Sequence, residues 1–92
     1  MSNFMGKSLK ALSKDIAEGY VTVNPLFLKP LDADTLKKLY HEMRKSQAEI
    51  RGEKFPHNDV MAIRERNIRL QRLHSASTII KNFARDRRIQ II

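Results

Sequence analysis

Residues 59–88 read DVMAIRERNIRLQRLHSASTIIKNFARDRR, and this stretch decides the fold. Ile63, Leu70, Leu73, Ile80 and Ala84 form one apolar stripe at helical spacing, drifting slowly as a near-heptad pattern does. Met61, Ile68, Ala76, Ile79 and Phe83 form a second stripe on a different side. The pattern predicts one long helix over 59–88, roughly 45 Å at about 1.5 Å per residue. A helix apolar on two sides needs two neighbours, so it is expected to be the central element. Asn58 or Asp59 is placed to cap its first turn.

Working back from this helix, residues 32–51 predict a second one, antiparallel to it. Asp32 is its N-cap, and Leu31 and Leu36 bracket the cap as a hydrophobic staple. Leu36, Leu39, Tyr40, Met43 and Ile50 share one face that Gln47 interrupts, and Gly52 closes the helix. Residues 3–18 predict a short amphipathic helix on Met5, Leu9, Leu12 and Ile16, with Lys7, Lys10 and Lys14 off the stripe and Gly19 ending it. Residues 20–31 predict an extended strap: Val21-Thr22-Val23 favours extended backbone, and Pro25 and Pro30 push their predecessors out of helical geometry. The tail 89–92 brings three isoleucines, Ile89, Ile91 and Ile92, directly after dense cations. It is expected to finish the core, to join two copies or to serve as a docking peptide.

The expectation is therefore an all-α chain of 92 residues in one domain. Leu, Ile, Val and Phe make up 25 of the 92 residues, enough for a small core and too many for a disordered polyelectrolyte. A chain this short has no room for a doubly wound sheet, a barrel or a multi-domain enzyme. With no cysteine, it has no disulfide, thiolate metal site or cysteine nucleophile, which fits a reducing compartment. No segment approaches the roughly 20 apolar residues of a membrane span, and the first residues do not read as a signal peptide. A cytoplasmic location is expected.

The net charge of +8 is unevenly spread. Eight of the nine arginines lie from Arg51 onward, whereas lysines dominate the first half beside nearby acids. From Val60 to Ile92 eight cations face only Glu65 and Asp86. Guanidinium groups suit carboxylate or phosphate recognition better than ammonium does, so Arg64, Arg66, Arg69, Arg72, Lys81, Arg85, Arg87 and Arg88 are the candidate binding residues. A polar strip accompanies them: Asn67, Gln71, His74 and Thr78 lead into Lys81 and Arg85 without an acid. Asn and Gln can pair with base edges, Thr and His with phosphates. The same strip is equally what any amphipathic helix shows to water.

Other chemistries have weaker footing. The seven-residue connection Gly52–Asn58 is too long for a helix-turn-helix turn. There is no Trp and there are few other aromatics, so a stacking platform for single strands is not expected. Single, scattered glycines build no phosphate loop. His41, His57 and His74 lack metal-ligand spacing, and Glu42, Glu49, Glu53 and Glu65 read as partners for neighbouring cations. No catalytic residue, metal or cofactor is expected. The reading is a non-enzymatic helical module whose Arg-rich face meets an acidic protein partner. The alternative is a nucleic-acid- or ribosome-associated protein contacting phosphates through the same arginines. Membrane binding is disfavoured, because the first stripe is short and lacks Trp. The two-sided long helix also predicts a homodimer.

Overall fold

A computed structural model describes residues 3–4 and 7–91. Their fold is helical, apart from a two-residue antiparallel ladder pairing β1 (Asn3–Phe4) with β2 (Lys7–Ser8). Four helices follow: α1 (Leu9–Glu18), α2 (Pro25–Leu28), α3 (Ala33–Gly52) and α4 (Val60–Asp86). Each has a side-chain cap that fills an otherwise orphaned backbone N–H three residues on. Ser8 accepts from Ala11 at 3.1 Å, Asn24 from Phe27 at 2.9 Å, Asp32 from Thr35 at 2.8 Å and Asp59 from Ala62 at 3.0 Å.

Two of these caps correct the sequence reading. The first helix starts at Leu9, not Asn3, because Ser8 takes extended geometry and turns its hydroxyl to the new helix. Met5, assigned to its stripe, lies outside the described residues. Within the expected strap, Asn24 is indeed extended, yet Pro25 then opens a four-residue helix. A proline at the first helical position has its backbone angle preset and no N–H to lose.

Helices α1, α3 and α4 each pack on the other two, and α2 rests on α4. Leu9, Leu12 and Ile16 of α1 meet Leu36, Leu39 and Met43 of α3 and Leu73, Ile80 and Ala84 of α4 in one core, which Val23, Leu28 and Leu31 close from the strap. A polar contact crosses it. The buried Ser13 and Ser46 hydroxyls lie 2.8 Å apart, and Ser13 donates to Lys10 O, so Ser46 supplies the proton between them.

α4 has 27 residues, about 40 Å of helix, against a longest molecular extent of 44 Å. Its burial is confined to the second half, from Leu73 to Ala84. Met61 and Ile68 of the second stripe are exposed, as are Val60 and the nearby Phe55, whereas Ala76, Ile79 and Phe83 are covered wholly or in part. The expectation of two covered sides therefore holds only for the C-terminal half. The physical reason is length: α1 is 10 residues and α2 is 4, too short to follow α4 to its start.

Candidate basic interface on α4

The eight predicted cations do not form one site. Successive helical positions turn by about 100°, so Arg64, Arg66, Arg69 and Arg72 fan out around α4. Three of the four are engaged within the chain. Arg66 lies over the Phe55 ring, 5.5 Å from its centroid. Arg69 pairs with Glu53 at 3.8 Å, tying α4 to the end of α3. Arg72 reaches α1 and donates from Nη1 to Ala17 O at 3.1 Å. Arg64 is exposed and forms no ion pair among the described residues.

The Arg72 contact depends on the end of α1. Gly19 has φ 85°, and the bonds Tyr20 N–H to Asp15 O and Gly19 N–H to Ile16 O close the helix in a Schellman turn. That turn leaves the Ala17 carbonyl without a helical partner, and the guanidinium supplies both a donor and a charge suited to a helix C-terminus. A β-carbon on Gly19 would sit 2.9 Å from Arg72 Cζ. Glycine is thus favoured twice, for its backbone angle and for the space over which the guanidinium lies.

At the other end of α4 the cations gather. Lys81 and Arg85 are one turn apart, and both are exposed. Arg88 has φ 58°, the left-handed position after the helix, with Ile89 N–H bonded to Ala84 O at 2.8 Å and Arg88 N–H to Arg85 O at 3.0 Å. This second Schellman turn folds the tail back, so that Ile91 is buried and Ile89 half-buried against the core. Ile92 lies outside the described residues. Lys81, Arg85 and Arg88 border a concavity of about 400 Å³ with Asn82, Gln90, Ile89 and Ile91. Arg87 stands apart, its guanidinium 4.5 Å from the Phe83 ring centroid.

The polar strip Asn67, Gln71, His74 and Thr78 is exposed along the outer side of α4 and joins Arg64 to Lys81 and Arg85. Thr78 spends its hydroxyl on His74 O at 3.0 Å, within the helix. Among the described residues no three His, Asp or Glu side chains come together in a metal-ligating group. Among the described residues no helix is long and apolar enough to cross a membrane.

Two further concavities escaped the sequence reading, because residues far apart in the chain form them. One, of about 380 Å³, lies between the end of α1, the irregular segment Val21–Val23 and α4, and is lined by Ile16, Ile68, Ile79 and Arg72 among others. The other, between α1, α3 and α4, brings Glu18, Glu49 and Glu53 beside Lys14 and Arg69. Among the described residues, the one carboxyl held away from its ordinary range is elsewhere. The Thr35 hydroxyl and backbone N–H hold Asp32 below the ordinary carboxylate range, and Lys38 adds to the effect. That is helix capping and carries no reaction chemistry. Set against known proteins, the chain matches no family model, no curated protein and no solved structure.

Proposed function

We propose that this chain is a non-enzymatic helical interaction module whose basic α4 face engages an acidic protein partner. The observation that carries this reading is the acid-free, exposed strip from Arg64 through Asn67, Gln71, His74 and Thr78 to Lys81 and Arg85. Like charges left uncompensated on one face repel one another, and an acidic partner relieves that repulsion. The phosphate reading has less support, because Arg66, Arg69 and Arg72 are engaged inside the molecule and fewer cations remain to track a backbone. Exposed Met61 and Ile68 support pairing with a second copy; a scattering mass near 10.7 kDa at high concentration would overturn that pairing.

The test is fluorescence anisotropy with labelled poly-glutamate, duplex DNA and single-stranded RNA at low and moderate salt. Poly-glutamate is expected to bind, and Lys81→Glu with Arg85→Glu to weaken it at least about tenfold. Tighter binding to DNA or RNA, falling steeply with salt as counterions are released, would replace this reading with the nucleic-acid one. Absence of binding to every probe at low salt would overturn both.

A further inference from the structure

We infer that the concavity at the C-terminal end of α4 is the docking point for an acidic peptide segment of a partner protein, in which a carboxylate stands next to a large apolar side chain. The inference rests on the acidic-partner reading above and adds to it a place and a chemistry of recognition. Lys81, Arg85 and Arg88 line one shallow, open concavity of about 400 Å³, and among the described residues no carboxylate lines it. Asp86, the adjacent acid, is turned about 100° around the helix from Arg85.

The walls of the cavity differ in kind. Asn82 and Gln90 add amide donors and acceptors to the lining, whereas the half-buried Ile89 and the edge of the buried Ile91 add apolar surface. A phosphodiester backbone would use the cations and leave the isoleucines idle. A carboxylate beside a Leu-like side chain uses both walls. A second copy of this chain fits poorly, since it brings the same +8.

Cations in a last helical turn commonly answer the helix dipole, and that accounts for Arg85. It does not account for Arg88. Its left-handed backbone is the position that glycine takes at lowest cost, and an arginine there keeps a strained angle to place its side chain. Dipole compensation needs no such strain, because any exposed position of the last turn supplies it.

The experiment titrates the isotope-labelled full chain with acetyl-Asp-Leu-Glu-Asp-Leu-amide and follows every backbone amide by NMR. Controls are the Asn/Gln counterpart, a counterpart with Ser for Leu, inorganic phosphate and a short DNA duplex. The acidic peptide is expected to shift the amides of Lys81, Arg85, Ile89 and Gln90. Each altered peptide, lacking either all three carboxylates or both leucines, is expected to bind at least about tenfold more weakly. Arg88→Gly keeps the turn on the residue it favours, so the melting temperature holds or rises while peptide binding weakens about tenfold. Shifts confined to Arg64, Asn67 and Gln71 would overturn the concavity and leave the acidic-partner reading standing. Equal binding of the Ser peptide, of phosphate or of DNA at the concavity would also overturn it. A peptide that shifts no amide anywhere would overturn both.

Discussion

Replacing Gly19 with alanine tests the junction between α1 and α4 directly. The backbone angle of 85° is left-handed, and an alanine held there costs about 1–2 kcal/mol. The added methyl would also stand 2.9 Å from Arg72 Cζ, so the guanidinium, the end of a flexible side chain, must shift, and its 3.1 Å bond to Ala17 O is expected to weaken. A hydrogen bond from a charged donor is worth about 1.5–3 kcal/mol, but Arg72 is exposed, and solvent screening reduces this to about 1 kcal/mol. Gly19→Ala is therefore expected to destabilise by about 2–3 kcal/mol, and Arg72→Ala alone by about 1 kcal/mol. Urea denaturation of both single variants and the double variant closes the cycle. In the Arg72→Ala background, Gly19→Ala should cost only the backbone part, about 1–2 kcal/mol, leaving a coupling near 1 kcal/mol. Gly19→Asn separates the two causes further, since Asn tolerates the left-handed region and still carries the β-carbon. Equal costs of Gly19→Ala in both backgrounds, within a few tenths of a kcal/mol, would refute the idea that the glycine makes room for Arg72.

Three more outcomes are expected. Ser13→Ala leaves the buried Ser46 hydroxyl without its acceptor and should cost about 1–3 kcal/mol, whereas Ser13→Ala with Ser46→Ala should cost less than the two single changes added, as read by urea denaturation. Arg88→Gly relieves the left-handed angle of 58° and should stabilise by about 0.5–1 kcal/mol in thermal unfolding; a loss of stability would mean that the Arg88 side chain itself holds the tail. Asp32 has its carboxyl lowered in the folded chain, so its contribution is full above the unfolded value and disappears as pH falls through the lower folded one. Stability measured along an acid titration should accordingly fall less steeply below about pH 4 for Asp32→Asn than for the unmodified chain.

The parts of this fold that were legible in the sequence are those set by neighbours along the chain. Asp32 and Asp59 each stand directly before a periodic apolar run, and both helices begin where the carboxylate can reach the third N–H. Periodicity misled at α1, because Met5 continues the spacing of Leu9, Leu12 and Ile16 through the residue that caps the helix. The signal that outranks it is Ser8, a side chain that competes with the helix for its own backbone. Proline was read for what it forbids to the residue before it, and its fitness to begin a turn was missed.

The basic site was legible as composition and not as geometry. Nothing in the run from Arg64 to Arg72 says that Arg72 will meet a carbonyl 55 residues away, or that Arg69 will meet Glu53 across the inter-helix connection. The convergence of Lys81 and Arg85 with Arg88 likewise requires a turn that reverses the chain, and arginine is not the residue by which such a turn is recognised. The bridge between Ser13 and Ser46 was hidden for the same reason, 33 positions separating its partners.

The uneven burial of α4 divides one helix between two equilibria. No side chain from Val60 to Arg72 is fully buried, whereas Leu73, Ala76, Ile80 and Ala84 are. Amide protons of the first three turns can therefore exchange with solvent by fraying, without opening the core. Those on the buried stretch from Leu73 to Ala84 are expected to exchange more slowly, since opening them exposes the core. A reporter group near Met61 would follow the first event and one near Ile80 the second, so a single stability value describes the fold of α1, α3 and the latter half of α4. The leading half is held by fewer buried side chains, so a partner settling against it is expected to slow its exchange without altering that of the core.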